Sequence, residues 1–326
     1  MKKGRILSGM RPTGPLHLGH YVGALRNWAT LQDDYACHYM VADWHALMSE
    51  YADTSNIEQW TREMVADWIA CGLDPERSVM FVQSQVPEHA ALHLVFSCIT
   101  PLGWLERCPT YKEQKKEIKG KDLETYAFLG YPTLQAADIL LYLGDVVPVG
   151  EDQLPHIELT REIARRFNSL FAPVFPEPTG KLTVIPRFLG LDRRKMSNSY
   201  GNFIALADDA DTIMKKTMTM ITDPKRIRLT DPGHPDECNV CSYYEVFAPE
   251  QLADVRDKCR GAGWGCTDCK KNLGEVLCDF IAPIRSRRQE LLNETGRIEG
   301  IIETGRQKAS AVAAETMKKV RAALKF

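Results

Sequence analysis

A chain of 326 residues is long enough for one large domain or two ordinary ones and buries a substantial core without staples. With 44% hydrophobic and 26% charged residues it has the make-up of a soluble globular protein, and a formal net charge of −2 excludes a globally basic nucleic-acid binder, leaving any RNA contact to local basic patches. No stretch approaches about eighteen consecutive apolar residues, and "MKKGRILSG" lacks the apolar run of a secretory signal, so a cytoplasmic, unanchored protein without membrane or DNA contacts is expected.

In chain order, "RILSGM" reads as a first strand, followed by the turn "RPTG" and a helical pattern whose apolar face holds Leu18, Val22 and Leu25. His17 and His20 sit at i and i+3 in the first turn of that helix. Unpaired N–H groups and the helix dipole favour an anion there, and Gly19 removes a side chain that would block a flat base from the backbone. A lone HxGH is more often just a polar helix start.

"HYMVADW", "SVMFVQS" and "DVVPVG" read as three further strands, separated by amphipathic patterns such as "SNIEQWTREMVADWIACGL", with Trp60, Met64, Trp68 and Ile69 on one face, "VPEHAALHLVFSCI" and "DQLPHIELTREIARRFNSL". This βαβα order predicts an α/β fold, a Rossmann-like parallel sheet with its ligands at the carboxyl ends of the strands. "FAPVFPEPTG", residues 171–180, reads as loop. "GEDQ" closes the last strand with two carboxylates and an amide, and "RRKMSNSYGN" has the cations, hydroxyls and glycine of a mobile loop.

Beyond residue 200 the pattern turns helical in "DADTIMKKTMTMIT", "PEQLADVRDKCR", "LGEVLCDFIAPIRSRRQELL" and "GRQKASAVAAETMKKVRAALKF". The expected division is a catalytic domain over 1–200 with an insertion around 100–130, then a mostly α-helical domain over 201–326 whose terminal helix packs back on the first. Of ten cysteines, Cys37, Cys71, Cys98 and Cys108 are scattered as small core residues, while six crowd into residues 238–278. From Cys238 the spacing is C-x2-C-x17-C-x6-C-x2-C, a strong metal signal, for which Cys238, Cys241, Cys266 and Cys269 make a plausible zinc site.

HLGH, GEDQ and KMSNS in that order resemble the signature set of the class I aminoacyl-tRNA synthetases. The runs "SGMRPTG", "YPTLQAADILLY", "VPVGEDQ" and "HIELTREIARRFN" narrow the resemblance to the tryptophanyl-tRNA synthetases, over essentially the whole chain. The similar tyrosyl enzymes carry a tyrosine where this chain has Leu7, which offers only apolar contact. A tyrosyl-type synthetase, a small-molecule nucleotidyltransferase with its own HxGH turn and a non-catalytic synthetase paralogue are the competing readings; only Asn198 speaks for the paralogue.

The resemblance implies a tryptophan–tRNA ligase that uses ATP with Mg²⁺ to form tryptophanyl-adenylate and then charges tRNA(Trp), working as a homodimer. No protein nucleophile is needed, because the amino acid's carboxylate attacks the α-phosphate and the protein positions and neutralises charge. By resemblance His17 and His20 act on the phosphates, Gly19 underlies adenine, and Arg11, Pro12 and Thr13 line the ATP entry. Gly150, Glu151 and Asp152 hold the ribose, Phe188 aligns with an adenine contact, and Lys195, Met196, Ser197, Asn198 and Ser199 close over the pyrophosphate. Asn198 replaces the usual second lysine, and Arg193, Arg194 and Lys195 are left to share the leaving group's charge.

For tryptophan, Tyr131, Gln135 and Asp138 fall on one helix face at i, i+4 and i+7. By resemblance Asp138 accepts the indole N–H, Tyr131 and Gln153 reach the ammonium, and Leu7, His45, Val147 and Val149 shape the pocket, with Gln135 in place of a methionine. A subset of tryptophanyl enzymes carries a 4Fe-4S cluster on C-x22-C-x6-C-x2-C. Cys259, Cys266 and Cys269 match its last three ligands, and Cys238, with Cys241 as rival, is the fourth across a short deletion. "TYKEQKKEIKGK", with Lys112, Lys115, Lys116, Lys119 and Lys121, is either an acceptor-stem contact or a solvated face. Anticodon recognition falls near Arg226 and Arg228.

Overall fold

The structure, a computed structural model, describes residues 2–108, 123–182 and 188–325, with the backbone alone at Asp152. The lysine run of residues 110–121 therefore lies outside the described residues.

Strand β1 (Arg5–Met10) leads through a turn into the short helix α1 (Leu18–His20), a π-helical turn over Tyr21–Leu25, and α2 (Arg26–Asp34). Then come β2 (Ala36–Val41), α3 (Asp43–Glu50), α4 (Ile57–Ala70), β3 (Ser78–Val82), α5 (Glu88–Ile99), α6 (Leu102–Glu106), α7 (Tyr126–Leu141), β4 (Val146–Val149), α8 (Leu154–Leu170) and β5 (Thr179–Leu182). Among the described residues only helices follow: α9 (Ala210–Met218), α10 (Asn239–Phe247), α11 (Leu252–Arg260), α12 (Cys266–Asn293) and α13 (Arg297–Leu324), besides single 3-10 turns.

The five strands form one parallel sheet in the order β3-β2-β1-β4-β5, the Rossmann-like arrangement expected from the βαβα alternation. Four strands coincide with the four apolar runs. The fifth, β5, has no such run: its residues TGKL are all exposed and non-alternating, and it exists because its backbone pairs with the edge of β4. Near-continuous burial along β2, β3 and β4 is what a sheet covered on both faces requires.

The chain divides into two compact units, one comprising Met1–Gly14, Ala24–Pro186 and Glu294–Phe326, the other Pro15–Gly23 and Arg187–Asn293. The first holds the sheet. Its core joins Leu7, Met40 and Phe81 of the strands to Phe96 of α5, Leu140 of α7 and Phe167 of α8. Of the four scattered cysteines, Cys37 and Cys108 are buried as expected, whereas Cys71 is half-buried and Cys98 exposed on α5, so the core reading fails for the last. The last helix, α13, belongs to this unit and lies against the edge strand β3, contributing Ala309, Ala313, Met317 and Val320 to the core. Its approach is close enough that only glycine fits at 305, where a Cβ would lie 1.7 Å from the Met80 carbonyl oxygen.

In the second unit α9 lies against α12, and α10 against α12. Lys270 on α12 is buried, its ammonium donating to the Met218, Met220 and Thr222 oxygens at 3.4, 2.5 and 3.1 Å and so satisfying carbonyls at the end of α9.

Candidate functional site

In the sheet unit the strand order reverses between β1 and β4, the topological switch point where the carboxyl ends of parallel strands leave a crevice. Arg11, Pro12 and Thr13 follow β1, and Gly150 through Gln153 follow β4, so both expected segments stand at that point. Gly150 leads into a 3-10 turn over Glu151–Gln153, which runs straight into α8. Arg11 lies close enough to Glu50 and Tyr131 to feel their charges. Val147, Val149 and Leu7 are buried on the neighbouring strands.

Helix α7 carries the amino-acid face. Thr125 caps it by accepting from the Phe128 N–H, and all but four of its residues are buried, which forces its polar groups to find partners. Asp138 is 2% exposed and takes three bonds: His45 at 2.8 Å on Oδ2, and His89 at 2.6 Å with Gln83 Nε2 at 2.8 Å on Oδ1. Burial alone would raise this carboxyl, but the bonds from His45 and His89 outweigh it and hold it down to about 2, so it is a carboxylate. His89 in turn bonds the Tyr142 hydroxyl at 2.8 Å.

A second relay serves the other end. Tyr131 on α7 donates to His156 Nε2 at 2.8 Å, and His156 Nδ1 donates to Gln153 Oε1 at 2.9 Å, which orients the GEDQ amide. Gln135 is half-buried. His89 and Gln83 join the site from outside its motifs, and Tyr142 and His156 join it from within the YPTLQAADILLY and HIELTREIARRFN runs without having been assigned a role. The available signals are the first histidine of the "VPEHAALH" helix and a histidine three residues after Gln153.

In the second unit, two segments far apart in sequence are stitched together. Leu18 N–H donates to Ile204 O at 3.0 Å, Leu206 N–H to Leu16 O at 2.9 Å, and Gly19 N–H meets Met196 Sδ at 3.1 Å. The rings of His17 and His20 stack with centroids 3.8 Å apart. A Cβ on Gly19 would lie 3.0 Å from the His17 ring and 3.3 Å from Met196 Cβ, so any larger residue would press on this stacking and make the neighbours give by a few tenths of an ångström. Burial, then His20, pushes His17 down to about 2; burial, then Lys195, pushes His20 down to about 4. Both are neutral imidazoles near pH 7 and act as hydrogen-bonding groups rather than cations. The His17 backbone N–H donates to His20 Nδ1 at 3.2 Å, which leaves the His20 proton on Nε2.

The KMSNS segment is cross-braced where its composition suggested mobility. Asn202 accepts from the Ser197 N–H at 3.0 Å and donates to Asp192 at 2.6 Å and to the Lys195 carbonyl at 3.1 Å, while Ser197 caps the 3-10 turn Asn198–Tyr200. Arg194 is engaged by Asp192 at 2.5 Å and lies 4.3 Å over the Tyr200 ring, so its charge is already matched inside the loop. Lys195 and Ser199 are exposed. Phe188 is buried against Tyr243, ring centroids 4.6 Å apart, and its carbonyl accepts from the Met196 N–H.

Five thiols, those of Cys238, Cys241, Cys259, Cys266 and Cys269, line one cavity in this unit with Asp223, Arg226 and Trp264. Cys278 is elsewhere, its Sγ 3.6 Å from the Ala210 carbonyl. Cys238 stands at the start of α10, where the Cys241 thiol and the Val240 and Cys241 N–H groups pull its thiol down to about 6; the same pairing and burial raise Cys241. Burial and the neighbouring thiols push Cys269 up to about 12. Among the described residues no three or more Cys, His, Asp or Glu side chains are closed into a metal-binding polyhedron. Thiol donors converging on one cavity are nonetheless the donor chemistry that iron and zinc take.

A parallel switch-point sheet, an HxGH turn and a lysine-led loop define a class of enzyme that handles nucleotides, and the chain belongs to the family of tRNA synthetases class I (W and Y), which it matches over residues 1–282. The tryptophan–tRNA ligase of Thermotoga maritima is 51% identical, covering 98% of each chain, and that of Aquifex aeolicus 42% identical, covering 98% of this chain and 99% of the relative. The crystal structure of tryptophanyl-tRNA synthetase from Campylobacter jejuni, complexed with ADP and tryptophan, superposes with a TM-score of 0.89 at 30% identity, over 99% of this chain and all of the other. A tyrosyl-tRNA synthetase from Archaeoglobus fulgidus, at 21% identity and a TM-score of 0.67, shares the fold alone. Within the family the chain therefore stands with the tryptophan enzymes.

Proposed function

We propose that this chain is a tryptophan–tRNA ligase that activates L-tryptophan with ATP and Mg²⁺, releases pyrophosphate and transfers tryptophan to tRNA(Trp). The observation that carries the reading is Asp138, a buried carboxylate with three of its four lone-pair positions occupied and one left for a donor, in an otherwise apolar helix. A site built to accept an N–H rejects an amino acid lacking one, because the carboxylate then stays underpaired. Tyr131, whose proton goes to His156, turns its lone pairs to the ammonium, and Gln153 joins it. Leu7, His45, Gln135, Val147 and Val149 line the indole.

On the nucleotide, His20 Nε2–H and His17 bond the phosphates, and Lys195 supplies the cation of the leaving group. Ser197, Asn198 and Ser199 add neutral donors, Arg11, Pro12 and Thr13 line the entry, and Gly150, Glu151 and Asp152 take the ribose. Gly19 and Phe188 stand by adenine. Arg194 has no part in this, being held by Asp192.

The helical segment after residue 200 reads the anticodon, and the protein acts in the cytoplasm as a homodimer. Cys238, Cys259, Cys266 and Cys269 hold a 4Fe-4S cluster, or zinc as the alternative. Cys238 is preferred to Cys241 for its place at a helix start, whereas Cys241 is 2% exposed. Such a cluster supplies a rigid four-thiolate cross-link. Tryptophan-dependent ATP–pyrophosphate exchange, followed by charging of tRNA(Trp), tests the activity; exchange with tyrosine, or without amino acid, refutes it. Iron and sulfide analysis of anaerobically purified protein tests the cluster, and zinc alone refutes it.

A further inference from the structure

Asp138 is the acceptor of the proposed indole contact, yet a carboxylate on its own rotates and protonates, so something must hold it. Three donors reach it, and of the two histidines His45 has 13% of its side chain exposed while His89 has none. The inner oxygen, Oδ1, is filled by His89 and Gln83, and the outer one, Oδ2, by His45 alone. The unfilled lone pair is thus on Oδ2, the oxygen nearest the exposed side.

With His89 neutral, the protons along this chain of groups have one consistent arrangement. A carboxylate only accepts, so His89 Nδ1 must carry a hydrogen, and the amide of Gln83 must turn its Nε2 inward. A neutral His89 then has a bare Nε2, and the Tyr142 hydroxyl, 2.8 Å away, fills it by donating. Tyr142 is fully buried and its ring packs beside that of His89, centroids 5.4 Å apart, which fixes the imidazole plane. No other tautomer satisfies all three groups.

We propose that His89, fixed in one tautomer by Tyr142, is a positioning residue that sets the amino-acid specificity of this chain by fixing the Asp138 carboxylate with its single open acceptor position on Oδ2. His89 touches neither substrate. It works through Asp138, so its loss costs discrimination in favour of an N–H donor rather than turnover in general. The inference rests on the proposed tryptophan activity.

The test is ATP–pyrophosphate exchange with two amino acids, tryptophan and its benzothiophene analogue, in which sulfur replaces the indole N–H. For the natural chain kcat/KM favours tryptophan. Tyr142→Phe frees the tautomer, and the preference is expected to fall about 10-fold, with kcat/KM for the analogue within about 2-fold. His89→Gln, which presents a donor at the Nε2 position only, loses about 100-fold. His89→Asn, whose amide mimics Nδ1–H, retains the preference within about 3-fold and makes Tyr142→Phe silent in the double variant. Equal losses for both amino acids, or equal effects of His89→Asn and His89→Gln, overturn the proposal by showing a merely structural role. Absence of tryptophan-dependent exchange in the natural chain overturns the activity itself, and with it this inference; exchange with an unchanged preference in Tyr142→Phe and His89→Gln overturns only the inference.

Discussion

Gly305→Ala should destabilise this protein, although the same change on most exposed helix positions stabilises it. Alanine gains about 0.8–1 kcal/mol over glycine in a helix interior. At 305 the added Cβ would stand 1.7 Å from the Met80 carbonyl oxygen and 2.5 Å from its carbon, and neither is a side-chain end that can swing away. Restoring ordinary contact requires α13 to retreat from β3 by on the order of 1.5 Å, and a gap of even 0.5–1 Å forfeits roughly a quarter to a half of each dispersion contact. Ala309, Ala313, Met317 and Val320 on the same helix would lose their seats in the core. Overpacking of this kind costs about 1–3 kcal/mol, and a 1.7 Å approach to backbone puts it toward the upper end, so after the helix gain the net change is expected to be a loss of up to about 2 kcal/mol. Gly300, on the same helix with nothing within 4 Å of where its Cβ would stand, is the control: Gly300→Ala should gain about 0.5–1 kcal/mol. Thermal melts and urea titrations of both variants check this. A Gly305→Ala protein that melts at or above the parent refutes the close-approach argument.

Asn198→Lys restores a cation to the leaving-group loop and should raise the rate of tryptophan-dependent exchange several-fold; an unchanged or lower rate would show that Lys195 already suffices. Stability should fall on acidification from about pH 6.5 toward 4, because His20, held down to about 4, and His17, held lower still, stay neutral in the folded chain while the unfolded histidines take up protons. The double variant His17→Asn/His20→Asn should flatten that slope in melts between about pH 7.5 and 4.5. Asp138 adds a separate loss only below about pH 3.8, where the unfolded carboxyl protonates and the folded one does not until about 2. On the proposed cluster assignment, Cys269→Ala is expected to lower the metal content per chain to background, while Cys278→Ala, outside the thiol-lined cavity, leaves it unchanged.

Strands buried on both faces announce themselves as apolar runs, and β2 to β4 are legible in the sequence for that reason, while β1, with only Ile6 and Leu7 buried, is legible from the turn that follows it. The edge strand β5 is not, since its pairing is a backbone property and its residues TGKL carry no period. At the site, the HLGH and KMSNS segments are legible because unusual side chains crowd a turn. Their mutual stitching through Leu16, Leu18, Ile204 and Leu206 is not, because backbone N–H and C=O groups are the same at every residue. Arg194, which its charge alone would offer to the leaving group, is paired with Asp192 two residues before it, a contact the sequence spacing leaves visible. His89 is illegible because a positioning residue needs only to touch a functional one across the fold, here 49 residues from Asp138 in sequence, and Tyr142, although it ends the YPTLQAADILLY run, acts by bonding that histidine, a contact no motif records.

The short stretch from Pro15 to Gly23 belongs to one compact unit, although the polypeptide on either side of it belongs to the other. No single cut therefore liberates the helical unit whole. A fragment begun at residue 188 would lack the donor at Leu18 for Ile204 and the acceptor at Leu16 for Leu206, and its methionine loop would face solvent where the glycine of HLGH had been. Gene dissection of this enzyme has to carry that amino-terminal stretch along, by permutation or by supplying it as a separate peptide, before either half can be expected to behave as it does in the intact chain.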